Sequence, residues 1–130
     1  MRLSEVLVLN KFSSRYLVCY KDLNAHKTLH GGVLVRWMDE VSGMHARAIT
    51  GGTCVTRLID KISFVSKANA GDIMFIETTL KKAGKTSLTF EASVWEEVSK
   101  RLVAELSNIV FVAVDGDGIP RKHNVTIIGE

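Results

Sequence analysis

Apolar and polar residues follow two different periods along this chain. Between Gly31-Gly32 and Gly51-Gly52 the period is helical. At ~100° per residue, Val33, Leu34, Trp37, Met38, Val41, Met44, Ala48 and Ile49 fall on one broad arc, opposite Arg36, Glu40 and Arg47. The spacing predicts a helix from about Gly32 to Thr50, stopped by a glycine pair as helix C-termini commonly are. Beyond it the pattern turns to strands. Residues 54–66 are rich in Val, Ile, Thr and Phe, and runs at 72–81 and 86–97 follow, parted by Ala83-Gly84-Lys85. In the run at 86–97, Leu88, Phe90, Ala92 and Val94 alternate with polar residues, the period of a half-buried strand. The nearly continuous apolar run from Leu102 to Val114 predicts a strand in the middle of the sheet, closed by the turn Asp115-Gly116-Asp117-Gly118.

Ahead of the helix, the first nineteen residues read as extended, with Val6–Leu9 and Tyr16–Cys19 apolar. Tyr20 to His30 is polar and reads as an irregular loop. Short links between successive strands predict an antiparallel sheet. One long apolar-faced helix with five or six strands makes an α+β domain, the helix packed on one sheet face.

Composition changes this picture little. At 130 residues, 46% apolar and 24% charged, the chain is expected to be one domain over 1–130 with a core that needs neither disulfide nor metal. Cys19 and Cys54 lie far apart and form no CxxC pair, so reduced thiols are expected. No apolar run reaches the ~18 residues of a membrane span, and the N-terminus lacks the pattern of a signal peptide. A cytoplasmic location is the expectation. The net charge of +3 is spread through the sequence, unlike the basic stripe of a nucleic-acid binder. Its densest basic stretches, Lys81-Lys82 to Lys85 and Arg121-Lys122-His123, are either solvated loops or contacts for a phosphorylated small molecule.

Candidate chemistry gathers around the helix. Asp39 lies off the apolar arc among the small or half-apolar Val35, Ser42, Gly43 and Ala46, a stripe that would let another surface approach. By itself it reads more readily as a surface carboxylate beside Arg36 and Arg47. Gly31-Gly32 offers unpaired N–H groups at the helix start, or simple turn chemistry. Asn24 alone is a turn residue. His26, His30 and His45 share no metal-ligand spacing, and Asp115-x-Asp117-Gly118 lacks the downstream glutamate of a calcium loop.

The run Asn24-Ala25-His26-Lys27-Thr28-Leu29-His30-Gly31-Gly32, continued by Val33-Leu34-Val35-Arg36-Trp37-Met38-Asp39-Glu40, resembles the N-x6-GG-x6-D signature of hotdog-fold acyl-CoA thioesterases of the YciA and brain cytosolic hydrolase type. Val55-Thr56 through Ile62-Ser63-Phe64, Ala70-Gly71-Asp72, Gly84-Lys85-Thr86-Ser87 and Phe111–Asp115 extend the likeness over most of the chain. The sequence departs from it at His26-Lys27-Thr28, where many bacterial members carry a small, glycine-containing stretch, and at Ser63, where an asparagine is common.

The resemblance implies a hotdog fold, with a curved sheet wrapping the helix, and hydrolysis of acyl-CoA to acid and coenzyme A. It implies Asp39 as general base or as nucleophile, and Asn24 orienting water from the other subunit of a homodimer. It places His30, Gly31, Gly32, Thr56 and Phe64 about the thioester and the acyl chain, with the N–H of Gly32 favoured as oxyanion donor. Gly84, Lys85, Thr86 and Ser87 are placed on the phosphates of coenzyme A. No metal or cofactor is implied, since coenzyme A belongs to the substrate. The expected partners are acyl-CoA and further copies of the chain, as a dimer or a trimer of dimers, with neither nucleic acid nor membrane. Two alternatives stay open: a non-catalytic acyl-CoA-binding module, and an acyl-thioester dehydratase.

Overall fold

The computed structural model describes residues 10–127; the apolar run Val6–Leu9 lies outside them. Strand β1 (Lys11–Leu17) is followed by a 3-10 turn (Tyr20–Asp22), helix α1 (Gly31–Thr50), and strands β2 (Cys54–Phe64), β3 (Ile73–Ala83), β4 (Ser87–Glu96) and β5 (Leu102–Ala113). The five strands form one antiparallel sheet in the order β1-β3-β4-β5-β2. This is the expected arrangement of one long helix on one curved sheet.

Helix α1 begins where His30 adopts an extended conformation (φ −67°, ψ 128°) and accepts the N–H of Gly32 with its own ring. It ends at Gly51, in the left-handed region (φ 72°), whose N–H returns to the carbonyl of Arg47. The face turned to the sheet carries Leu34, Trp37, Met38, Val41, Ser42, His45, Ala46 and Ile49. It is shifted from the predicted arc: Met44 and Ala48 face out and Ser42 and Ala46 are buried, while His45, which the spacing also sets within that arc, is in the core. His45 tolerates the core because Thr78 Oγ1 lies 2.8 Å from its Nδ1 and its ring packs between Phe12 and Phe90. The Ser42 hydroxyl is buried with no hydrogen-bond partner.

Alternate residues of the inner strands meet the helix: Met74, Ile76, Thr78 and Leu80 on β3, and Leu88, Phe90, Ala92 and Val94 on β4. Each large apolar side chain buried this way stabilises the fold by ~1.5–3 kcal/mol. Register shifts between Leu80 and Lys82, and between Phe90 and Ala92, curl the sheet around α1. Strand β5 is interior, flanked by β4 and β2, but the middle position belongs to β4. β2 and β3 do not pair although they are consecutive. Residues 65–72 carry the chain across the end of the sheet, and among the described residues β2 is an edge strand. Along that edge Val55, Leu58, Ile59, Phe64 and the following Val65 are exposed.

Candidate active site

Asp39 sits half-buried on the third turn of α1, facing β2. Its Oδ1 accepts a hydrogen bond of 2.6 Å from Thr56 Oγ1, seventeen residues away. A local irregularity of β2 builds this contact. Thr56 pairs with Phe111 and Leu58 with Val110, so Arg57 is an extra residue in the strand. Such a bulge re-aims the side chain beside it, and here that side chain is Thr56. The small-residue stripe imagined around Asp39 is divided: Ser42 and Ala46 are inside the core, and only Val35 and Gly43 remain half-exposed.

Asn24 holds its own loop together. Its Oδ1 accepts the N–H groups of His26 (2.9 Å) and Thr28 (3.1 Å), and its Nδ2 donates to Thr28 Oγ1 (3.1 Å). One amide proton then remains for another acceptor. Asp22 anchors the same loop from beneath. The N–H of Cys19 bonds to its carboxylate at 2.9 Å, and this bond, with Lys21 beside it, holds the carboxyl below its ordinary range. The Asp22 carbonyl in turn receives the N–H of His30, which delivers the loop to the start of α1.

Gly31 lines a cavity of about 370 Å³ together with Thr28, Leu29, Leu34, Phe64 and Val103. A Cβ on Gly31 would touch the Phe64 ring at 3.5 Å, so Phe64 stands over the helix start rather than in the core. A wider groove of about 650 Å³ runs along the outer side of α1 past Tyr16, Glu40, Gly43 and Met44. There Tyr16 stacks on Trp37 at 4.7 Å and donates to Glu40 Oε1 at 3.3 Å; burial, and then the Glu40 charge, raise its phenol above the ordinary range. Sequence reading did not single out Tyr16, because its partner Glu40 is distant in the chain.

The turn Gly84-Lys85-Thr86-Ser87 joins β3 to β4 and closes with the N–H of Gly84 on the carbonyl of Ser87. His123 fastens it, a contact with no local sequence signal. His123 is buried, its Nε2 lies 2.9 Å from the Ser87 carbonyl, and its N–H bonds the Lys85 carbonyl. Through His123 the two basic stretches come together at one end of the sheet. That end also holds Thr56: Ser87 pairs with Val112, and Val112 with Val55. Among the described residues no three His, Cys, Asp or Glu side chains gather as metal ligands, and no helix is long and apolar enough to cross a membrane.

A single helix wrapped by an antiparallel sheet, presenting a hydroxyl-held carboxylate beside an open edge strand, defines a hotdog-fold enzyme. Residues 26–103 match the model of the thioesterase superfamily, and the chain belongs to that family. It is 31% identical over 113 residues to the acyl-CoA thioester hydrolase YciA of Salmonella typhimurium, covering 82% of this chain and 85% of the relative. The acyl-CoA hydrolase of Staphylococcus aureus, solved with butyryl coenzyme A and coenzyme A, superposes with a TM-score of 0.77 at 28% identity, over 92% of this chain and 70% of that one. Its variants with an aspartate, a threonine or an asparagine changed to alanine share the fold. The hexameric thioesterase of Yersinia pestis superposes at 0.80 with 29% identity, over 85% of this chain and 93% of that one.

Proposed function

We propose that this chain, an acyl-CoA thioester hydrolase, works through a site that two copies build together. Asp39 of one protomer activates water, and the first turn of α1 and Asn24 of its partner hold the thioester. The observation that carries the reading is a distance. Asp39 lies eight residues beyond Gly31, about 12 Å along the helix at 1.5 Å per residue. A water attacking a carbonyl carbon and a donor holding its oxygen must stand within a few ångströms of that one group. One protomer cannot supply both, whereas a second copy related by two-fold symmetry supplies each to the other.

Two further observations favour this arrangement. The open edge of β2, with Val55, Leu58 and Ile59 exposed, is suited to pairing with the same strand of another copy. Asn24, Asp39 and Thr56 stand fifteen and seventeen residues apart, the same separations as the asparagine, aspartate and threonine changed to alanine in the Staphylococcus aureus hydrolase.

With Thr56 bonded to Oδ1, Oδ2 of Asp39 is the oxygen that takes a proton from water. The water oxygen bonds to the carbonyl carbon, and the oxyanion rests on backbone N–H. Collapse breaks the carbon–sulfur bond, and the proton held by Asp39 passes to the departing thiolate, giving acid and free coenzyme A. Lys85 and the turn around it would meet the coenzyme A phosphates.

A thiol-release assay over acyl-CoA substrates of increasing chain length tests the reading. Asp39→Ala should lose nearly all turnover. In heavy-oxygen water a single turnover should label only the released acid. Near-full activity of Asp39→Ala would remove Asp39 from the reaction, and label in Asp39 would replace the general base by an anhydride route.

A further inference from the structure

Beyond β5 the chain returns along the end of the sheet and clasps the turn between β3 and β4. Its anchor is His123, buried among otherwise exposed neighbours. The N–H of Val125 enters the ring at Nδ1 (3.0 Å), so the ring proton sits on Nε2 and is donated to the Ser87 carbonyl at 2.9 Å. The backbone N–H of His123 bonds the Lys85 carbonyl at 3.2 Å, and that of Ala113 bonds the Thr86 carbonyl at 2.8 Å. Every carbonyl from Lys85 to Ser87 is thus tied to the protein. The donors are not: the N–H groups of Lys85 and Thr86 meet no acceptor among the described residues, and the Lys85 side chain is exposed. The turn faces its acceptors inward and leaves its donors for an anion.

We propose that His123 is a positioning residue for the nucleotide end of the substrate: by fastening the carbonyls of Lys85 and Ser87, it aims the donors of this turn at the phosphates of coenzyme A. This rests on the reading above, in which Lys85 and its turn meet those phosphates, and adds the residue that shapes the turn. A turn ordered before the substrate arrives loses less conformational freedom when it binds. His123 supplies that order from a buried position, out of reach of the phosphates. Val125, buried in the core two residues on, holds the returning chain in place. The role suits a histidine, whose one rigid ring accepts at Nδ1 and donates at Nε2.

Two amides separate those two bonds. His123→Asn keeps an oxygen for the N–H of Val125 but is too short to reach the Ser87 carbonyl, whereas His123→Gln carries an amide N–H to the place of Nε2. The probes are butyryl-CoA and butyryl-pantetheine, which has the same thioester and arm without the phosphates. For His123→Asn, KM for butyryl-CoA should rise about tenfold, with kcat within about twofold of wild type. KM for butyryl-pantetheine should stay as it was, and His123→Gln should recover most of the loss. In the wild type, the Nε2 resonance of His123 should shift on adding coenzyme A and stay in place with pantetheine.

An unchanged KM for butyryl-CoA in His123→Asn would overturn the inference. So would an equal rise on both substrates, which is what simple damage to the fold would give, or His123→Gln as weak as His123→Asn. If the variants do not fold, the resonance decides: unmoved by saturating coenzyme A, it overturns the inference. Lys85→Ala run in parallel separates the two claims. A higher KM for butyryl-CoA alone in Lys85→Ala, with His123→Asn unaffected, removes only the role given to His123. An unchanged KM in Lys85→Ala removes the phosphates from this turn altogether.

Discussion

Thr56→Val exchanges one hydroxyl for a methyl group and keeps the branched shape that suits β2. The change removes the 2.6 Å bond to Asp39 Oδ1 and nothing else the structure records for that side chain. A hydrogen bond to a charged group contributes ~1.5–3 kcal/mol. Thr56 is exposed, so water replaces part of this in the resting protein and stability should fall by less than ~1 kcal/mol. In the proposed reaction the carboxylate must hold one orientation while it activates water. There the bond's full contribution corresponds to a loss of roughly 10- to 100-fold in kcat. KM should hardly move, because the bond orients the base rather than the substrate. Steady-state thiol release for wild type, Thr56→Val and Thr56→Ser measures this, with Thr56→Ser expected to retain most of the rate. A Thr56→Val enzyme within about twofold of wild type, or a Thr56→Ser enzyme as slow as Thr56→Val, would refute the positioning role.

Other outcomes follow from single groups. Ser42→Ala removes a buried hydroxyl that has no partner and should raise stability by ~1 kcal/mol, read as a higher urea midpoint at unchanged m-value. Met38→Ala opens a cavity at a fully buried position beneath the helix and should cost ~2–5 kcal/mol. Glu96 accepts the N–H groups of Ser99 (2.7 Å), Ile73 (3.1 Å) and Val98 (3.0 Å), which hold its carboxyl down to about 2, from an ordinary 4.5. The folded value is the lower one, so its stabilising contribution is complete above pH 4.5 and lost as pH falls toward 2. Glu96→Gln should unfold more readily at neutral pH and show a shallower loss of stability through that window.

Much of this molecule was legible in its sequence, and the failures have physical causes. The glycine pairs bound α1 because the chain needs a left-handed residue at Gly51 and a close approach at Gly32. The helix arc was misjudged by about one position. A hydropathy pattern scores Met44 as core, and although it sets His45 within the arc it does not show Thr78 and the two aromatic rings that supply His45 with a place inside. Strand order escaped because β2 and β3 are consecutive yet unpaired, and no local pattern records a crossing at the sheet's end. The spacing from Asn24 to Gly31 and Asp39 was visible, but the hydroxyl that holds Asp39 was not. That contact depends on the bulge at Arg57, and Arg57 carries no turn signal. Likewise nothing in Arg121-Lys122-His123 foretold a clasp on the Ser87 carbonyl.

The most direct test of the shared site mixes two inactive proteins. Asn24→Asp keeps an oxygen for the N–H groups of His26 and Thr28, so the loop should persist, but it lacks the amide donor. Combined with Asp39→Ala under conditions of subunit exchange, it forms mixed dimers with one complete site each. Thiol release from acyl-CoA should then recover to roughly a quarter of the wild-type rate, half the dimers being mixed and each holding one of two sites. Exchange demonstrated by mass with no recovered activity would contradict a site built by two chains.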